Sequence, residues 1–330
     1  MASIKDVAKE SGVSVATVSR VINGTAAVSE ATQTAVLEAI ERLGYKPNLF
    51  GKNLRQSRTG IIMVMLSSIA NTFCSSVIRS IDKAAAAKGY YTMICATNGS
   101  SEKEDYYVNF AQNGFFDGII ILNSNLTAMR MASLSAAVPT VQCNEFVDTV
   151  STPYVSIDNE RAAFDAVSCL LESGARRVVF YTVENDLIST SDRFKGYLRA
   201  LKANSIDFDD DLVLIGNYGY RNALCTFSDF LETKKKFDGV FAVSDRMAAG
   251  AVRALIESGY AVPGDAQVIG FDNTDISYTS TPGISTVSQP HALLGKNAFE
   301  QLECLMSGKG AKNIILPHKI IFRNSTKRGE

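Results

Sequence analysis

From Gly60 onward, short apolar runs alternate with stretches long enough to form helices. The runs are IIMVML (61–66), YYTMIC (90–95), DGIIIL (117–122), PTVQC (139–143), RRVVFY (176–181), DGVFAV (238–243) and AQVIGF (266–271). Continuous apolar strands separated by helices are typical of parallel sheets that helices cover on both faces. The pattern therefore predicts an α/β fold for most of this 330-residue chain. Because FFDGIIIL and KFDGVFAV both enter a strand through Phe-Asp-Gly, we expect two similar subdomains.

The first 45 residues have a different, all-helical pattern. Ile4, Val7 and Ala8 are spaced to form one apolar helix face, and Gly12 can adopt the left-handed conformation of a tight turn. Ser14 stands where a helix cap is expected, and a second short helix can run from there to Asn23. This arrangement predicts a helix-turn-helix.

The second helix has two chemically different sides. Val18, Val21 and Ile22 can face a core, and the opposite side carries Val15, Ala16, Ser19, Arg20 and Asn23. Small apolar side chains suit thymine methyl groups, and arginine suits guanine, so this side fits the DNA major groove. The alternative is a purely structural three-helix cap.

A third helix and a short basic segment follow. Ser29 can cap the third helix and Gly44 can end it. In residues 48–55, Leu54 lies close to Lys52 and Arg55, an arrangement that suits an apolar wedge in the minor groove with cations on the phosphates. A plain linker would also fit this segment.

Charge is distributed unevenly along the chain. The whole chain has a formal net charge of −1, whereas residues 1–58 hold eight Lys/Arg and five Asp/Glu. A basic head on an acidic body favours phosphate attraction at one end of the molecule. The 46% hydrophobic and 20% charged residues indicate a well-cored protein of two or three domains.

Several classes of protein lack support in the sequence. Six scattered cysteines without a CxxC pair, no signal peptide and no run of 18 apolar residues predict a cytoplasmic protein without a membrane span. His291 and His318 are the two imidazoles, so we expect no metal site and no histidine triad. Without GxGxxG, GxxxxGK[ST], GxSxG or HExxH, the chain is predicted to have no catalytic residues and no cofactor, and not to be an enzyme.

The segments IKDVAKESGVSVATVSRVING, VSE and ERLGYKPN resemble the LacI/GalR family of bacterial transcription regulators. The resemblance covers about 55 contiguous residues. It implies that operator DNA is contacted by Ser14, Val15, Ala16, Thr17, Ser19, Arg20 and Asn23, and that Leu54 is inserted at the central base step. The chain has Gly51-Lys52 where the family usually has Ala-Arg, and glycine costs about 1 kcal/mol of helix propensity relative to alanine. We therefore expect a weak hinge helix.

The remainder resembles the family's effector domain, which is similar to type I periplasmic sugar-binding proteins. The matching pieces include SIDNERAA, DRFKGY, FAVSDRMAAGAVRALIESG and VPGDAQVIGFDN. The resemblance implies a headpiece over residues 1–58 and an effector domain over 60–330. Its first lobe would comprise about 61–158 and 290–322, and its second lobe about 160–287.

The resemblance also implies a set of effector-binding residues, which follow strand ends: Asn71, Phe73, Arg193, Tyr218, Ser244 and Asp272. Arginine and carboxylates can each engage two neighbouring hydroxyl groups, and an aromatic ring covers the apolar face of a sugar. Polar residues at strand ends also cap helices, and Asp245 fits a cap better than a ligand contact. Asp158 and Asn159 would hold the crossover between the lobes.

Together these features predict a regulator, most simply a repressor, that binds a palindromic operator as a homodimer. A small-molecule effector, most simply a sugar, would modulate its DNA affinity. The dimer is expected because no apolar heptad follows the last strand to build a tetramerising coil. The alternatives are a purine-responsive or otherwise non-sugar-responsive regulator, a periplasmic solute receptor and a nucleotide-dependent enzyme.

Overall fold

The computed structural model of the protein describes residues 2–23, 28–45, 58–123 and 126–327. The chain separates into two compact units, Met1–Thr59 and Gly60–Glu330. Among the helices in these described ranges, none combines the length and the apolar character that crossing a membrane would need.

The first unit contains three helices, α1 (Ile4–Ser11), α2 (Val15–Asn23) and α3 (Glu30–Leu43). Its core includes Val7, Val18 and Val36, which have no exposed surface. The turn after α1 passes through Gly12 at φ 69°, a left-handed conformation that glycine adopts without a steric penalty. The Ser29 hydroxyl caps α3, as predicted, by accepting a hydrogen bond from the Thr32 N–H.

The second unit is built on two six-stranded sheets. The first sheet has the order β11-β5-β4-β3-β1-β2, and its neighbouring strands are all parallel. Its strands are β1 (Ile61–Leu66), β2 (Tyr91–Ala96), β3 (Gly118–Leu122), β4 (Thr140–Cys143), β5 (Tyr154–Ile157) and β11 (Ile314–Leu316). Its helices are α4 (Thr72–Ala86), α5 (Ser101–Phe110), α6 (Ala128–Ala137) and α12 (His291–Met306). We call this part the first lobe.

The second sheet has the order β12-β10-β9-β8-β6-β7. Its strands are β6 (Val178–Val183), β7 (Val213–Gly216), β8 (Gly239–Ala242), β9 (Gln267–Asp272), β10 (Ser285–Ser288) and β12 (Lys319–Ile321). Its helices are α7 (Asn159–Glu172), α8 (Ile188–Ala203), α9 (Tyr220–Glu232), α10 (Asp245–Glu257) and α11 (Asp275–Thr279). We call this part the second lobe.

The lobe boundary near the C-terminus differs from the predicted one. We expected residues 290–322 in the first lobe, but β12 pairs antiparallel with β10 of the second sheet, with Thr286 opposite Ile321. Pro317 follows β11 directly and cannot donate a backbone hydrogen bond to that ladder. The chain therefore crosses between the lobes at residues 317–318.

The seven apolar runs all form strands, as predicted, and the central strands of both sheets are buried between helices. In the first lobe, Val64 and Ile120 pack against Leu294 and Phe299 of α12. In the second lobe, α7 and α8 cover one face of the sheet. Helix α8 begins at Ile188, and its first turn brings Ser189 into the space between the lobes.

Candidate functional site

The exposed side of α2 carries several of the residues predicted to contact DNA. Ala16 and Arg20 are exposed, whereas Thr17 and Ser19 are partly buried. Ser14 is the helix cap that the sequence predicts, because its hydroxyl accepts a hydrogen bond from the Thr17 N–H at 3.1 Å. The helix therefore presents a short polar face with one cation.

Val15 departs from the predicted separation of the two sides. It is partly buried and packs against the core of the three helices, so it does not belong wholly to the outer face. Its position in the first turn of α2 brings it close to that core. The side chain of Asn23 and the whole segment 46–57, with Lys52, Leu54, Arg55 and the hinge at 48–55, lie outside the described residues.

A cavity between the two lobes is lined by all six residues predicted to bind the effector: Asn71, Phe73, Arg193, Tyr218, Ser244 and Asp272. The cavity has a volume of about 940 Å³ when the space at its mouth is counted. Parallel strands from both sheets end at this cleft, which is where α/β sheets bind ligands. The six residues come from both lobes, so one small molecule can contact both.

Arg193 is held rigidly in the wall of the cavity. Its Nε donates to Asn159 Oδ1 at 3.0 Å, and its Nη1 donates to the Val243 carbonyl at 2.8 Å. The guanidinium stacks on Phe271 with its carbon 3.5 Å from the ring centroid. Five N–H groups are available on a guanidinium, so donors remain for a ligand after these contacts.

Asp272 ends β9 in an uncommon backbone conformation. Its φ is 101°, a value that costs energy for a residue with a side chain, and such strain often accompanies functional sites. Gln289 Nε2 donates to Asp272 Oδ1 at 2.8 Å, and His291 Nε2 lies 2.6 Å from the Asp272 carbonyl. Gln289 therefore orients the carboxylate of Asp272, and His291 contacts its backbone carbonyl.

Two of the predicted ligand-binding residues also cap helices. The Asn71 side chain accepts from the Phe73 N–H at 3.0 Å, and the Ser244 hydroxyl accepts from the Met247 N–H at 3.3 Å. Both still line the cavity, so capping a helix does not remove either residue from the cavity wall.

Asp245 was predicted to be the cap, and this was wrong because Ser244 has that role. Asp245 is the first residue of α10 and is almost fully buried. Its carboxylate accepts hydrogen bonds from Thr274 N–H, Thr274 Oγ1 and Thr286 Oγ1. Burial, followed by the negative charge of Asp272, raises the pKa of Asp245 to about 7 against the lowering effect of these hydrogen bonds.

Glu145 is a cavity residue that the sequence analysis missed. It follows β4, lies in the first lobe and is only 7% exposed. Its carboxylate accepts hydrogen bonds from the N–H and the hydroxyl of Ser189, which belongs to the second lobe. Burial raises the pKa of Glu145, although Ser189 and Arg193 favour its ionised form. The rule that ligands meet strand ends would have pointed to it.

Two neutral amides extend the polar wall of the first lobe. Asn123 follows β3, Asn144 follows β4, and Asn144 Nδ2 donates to Asn123 Oδ1 at 3.1 Å. Both line the cavity. They add hydrogen-bonding groups without adding charge.

Aromatic rings line the cavity from opposite lobes. Phe73 of α4 is buried and meets the His291 ring edge-on at 5.1 Å between centroids. Tyr218, between β7 and α9, keeps 37% of its surface exposed. A flat or ring-shaped ligand can therefore contact an aromatic group on each side.

Residues 3–48 match the family model described as bacterial regulatory proteins of the lacI family, and residues 167–326 match the periplasmic binding protein-like domain. The chain is 36% identical to catabolite control protein A of Priestia megaterium, over 98% of this chain and 99% of the relative. It is 32% identical to the transcriptional repressor PurR of Vibrio atlanticus, over 99% of this chain and 98% of the relative. These relatives are transcriptional regulators rather than enzymes.

Solved structures similar to this chain are also transcriptional regulators. The lac repressor dimer bound to operator and the anti-inducer ONPF superposes with a TM-score of 0.86 at 26% identity, covering 98% of this chain and 99% of that one. A complex of the transcriptional regulator CelR with cellobiose gives a TM-score of 0.75 at 28% identity, covering 98% and 100%. The α/β fold with an N-terminal helix-turn-helix is therefore as predicted. The chain belongs to the LacI family of DNA-binding transcriptional regulators.

Proposed function

We propose that this regulator is a cytoplasmic repressor that binds a palindromic operator as a homodimer and responds to a sugar held between its lobes. In this proposal the exposed side of α2 enters the major groove, and Lys52, Leu54 and Arg55 act at the minor groove. The DNA-facing residues of α2 are those predicted above: Ser14, Val15, Ala16, Thr17, Ser19, Arg20 and Asn23. A dimer of this kind places one α2 on each operator half-site.

The observation that carries the sugar proposal is the chemistry of the cavity wall. Arg193 offers fixed donors, and Asp272 offers a fixed carboxylate from a different strand end. Such groups can each engage two adjacent hydroxyl groups, and Phe73 and Tyr218 supply apolar ring contacts. A neutral, hydroxyl-rich ring meets these groups without adding a charge that would need a partner.

A purine is the second candidate, because relatives with similar identity include repressors named PurR. The two aromatic side chains would also suit a planar base. The segment next to Arg193 favours the sugar, since Leu187 is apolar and the Ser189 hydroxyl is already bonded to Glu145. This leaves fewer free hydrogen-bonding groups for the edges of a base.

Calorimetric titration with mono- and disaccharides, and separately with purine bases, tests the proposal. We expect at least one sugar to bind, and Arg193→Ala and Asp272→Ala each to weaken that binding at least tenfold. Both variants should keep their ligand-free DNA affinity, because neither residue belongs to the helix-turn-helix unit.

Two matched substitutions serve as controls. Arg199 lies on the same helix as Arg193 but pairs with Glu160 outside the cavity, and Asp275 is exposed three residues after Asp272. Arg199→Ala and Asp275→Asn should bind the sugar like the unmodified protein. Unaltered sugar binding in both Arg193→Ala and Asp272→Ala would show that the site is misplaced, and binding of purines alone would replace the ligand class.

A further inference from the structure

A second cavity lies next to the effector cavity, and the proposed function does not use it. Its wall combines Ile121 and Met131 of the first lobe with Val147 after β4 and with Leu187 and Ile188 at the start of α8. Its volume is about 870 Å³ when the solvent at its mouth is counted. This is within the size range of small-molecule sites in proteins.

Most of the wall is apolar, and its deepest residues are already in the core. Ile121, Leu126 and Met131 are 2–4% exposed, and Phe146, Val147 and Ile188 are partly buried. An apolar body of the size of an aromatic ring would bury its surface against these side chains, which is favourable by the hydrophobic effect.

Some polar groups of this cavity already have their hydrogen-bond partners within the protein. Gln142 is engaged at both ends of its amide, because its Nε2 donates to the Thr152 carbonyl and its Oε1 accepts from the Val147 N–H. The Thr127 hydroxyl accepts from the Arg130 N–H as the cap of α6. The remaining polar groups are the carboxylate of Glu145, which already accepts from Ser189 and Asn144, and the exposed carboxylate of Asp186. Among the described lining residues there is no lysine, arginine or histidine.

We propose that this second cavity binds a small cationic amine with an apolar, ring-sized body. The ammonium group donates hydrogen bonds to carboxylate oxygens, which keep lone pairs beyond those of Glu145 that accept from Ser189 and Asn144. An anion would lack a basic partner and would be repelled by two carboxylates. A neutral molecule of the same shape would gain the apolar contacts alone.

Glu145 and Leu187 line both cavities, so the two sites share a wall. Glu145 also bonds Ser189 across the lobes, and a ligand in the second cavity contacts both lobes. It therefore stabilises the same lobe arrangement that encloses the effector cavity. We therefore expect the sugar and the amine to strengthen each other's binding by about fivefold or more, an expectation that rests on the proposed function for the sugar.

Titration of the full-length protein with benzylamine, benzyl alcohol and benzoate tests the site. We expect saturable binding of benzylamine, at least tenfold weaker binding of benzyl alcohol and none of benzoate. Val147→Trp and Ile188→Trp fill the cavity from opposite lobes and should each abolish benzylamine binding. Thr149→Trp is the control, since Thr149 is exposed on the same loop and does not line the cavity.

Circular dichroism and the urea midpoint show whether each variant is folded, and two substitutions from different lobes protect against a single unfolded variant. Asp272→Ala should lose the sugar and keep benzylamine, which separates failure of this proposal from failure of the proposed function. Equal benzylamine binding by Val147→Trp, Ile188→Trp and the unmodified protein would overturn the second site. Loss of benzylamine binding in Asp272→Ala, with its retention in Val147→Trp, would place the amine in the effector cavity and would also overturn the second site. Absence of saturable benzylamine binding to the unmodified protein would overturn it as well.

Discussion

At the scale of single residues, Asp245 shows how burial changes what a carboxylate does. Its three hydrogen bonds from Thr274 and Thr286 join the start of α10 to the ends of β9 and β10. Burial next to Asp272 raises its pKa from 3.8 to about 7. The folded state therefore holds this proton over a pH range in which the unfolded chain has lost it.

This pKa shift predicts how stability depends on pH. Because the folded state binds the extra proton, the free energy of unfolding falls as the pH rises from about 4 to 7. Asp245→Asn should reduce this fall by at most about 1.4 kcal/mol per pH unit. Urea unfolding of both proteins at several pH values measures the difference. Parallel pH profiles for Asp245→Asn and the unmodified protein would contradict the assignment.

Arg20 is the exposed cation of α2, and we expect it to contact a guanine through two hydrogen bonds. Arg20→Ala should weaken operator binding by about 1–3 kcal/mol and relax the preference at one base pair of each half-site. Selection of binding sites from a random DNA pool measures both effects. Arg42→Ala, on the exposed side of α3, should leave the preferred sequence unchanged. An unchanged preferred sequence for Arg20→Ala would refute the contact.

At the scale of helices and strands, glycine lets neighbouring helices approach closely. Gly196 of α8 faces α7, and a Cβ at this position would lie 2.7 Å from Ala163 Cβ and even closer to the Glu160 carbonyl. Gly250 of α10 lies equally close to Ala223 of α9, and Gly295 of α12 to α4. These contacts let the covering helices pack tightly.

Gly196→Ala should therefore lower the free energy of unfolding by about 1–3 kcal/mol, because the added methyl group meets backbone atoms that cannot move aside easily. Gly310→Ala is the matched control, since no atom lies within 4 Å of an added Cβ there, and we expect its effect to be below about 0.5 kcal/mol. The midpoints of urea unfolding of both variants measure these changes in stability. Equal stability of the two variants would show that α7 and α8 adapt to the methyl group.

The sequence predicted seven strands, the four-residue β4 and β8 among them, but missed other short strands. IIMVML and AQVIGF are recognisable because six apolar or nearly apolar residues run together. Strands β5 and β7 have four residues each, and helix α6 (AMRMASLSAA) has a weak apolar pattern. Short elements are fixed by pairing with distant neighbours, and local sequence holds little information about such pairing.

The sequence likewise predicted only part of the candidate site. Arg193 and Asp272 could be predicted because each follows a strand in a recognisable motif, and the structure places both in one cavity. The bond between Glu145 and Ser189 joins residues 44 positions apart and depends on how the lobes close. The start of α8 at Ile188, which brings Ser189 to Glu145, was also not visible in the sequence.

At the scale of the whole molecule, one chain contains a DNA-binding unit and a two-lobed unit. Residues of both lobes line the cavity, so we expect a ligand bound there to favour the lobe arrangement that encloses it. A ligand can change the operator affinity only if it binds the DNA-binding state of the protein more tightly or more weakly than the other state. The coupling free energy between two such sites is typically about 1–3 kcal/mol. The sign of the change separates an inducer from a co-repressor.

The most direct test is the operator affinity of the full-length protein, measured by fluorescence anisotropy with and without the sugar identified by calorimetry. We predict that saturating sugar changes the affinity for a palindromic operator at least fivefold. Arg193→Ala should need at least tenfold more sugar for the same change. If the unmodified protein binds the sugar but has the same operator affinity with and without it, the sugar does not regulate DNA binding and the proposed function is wrong.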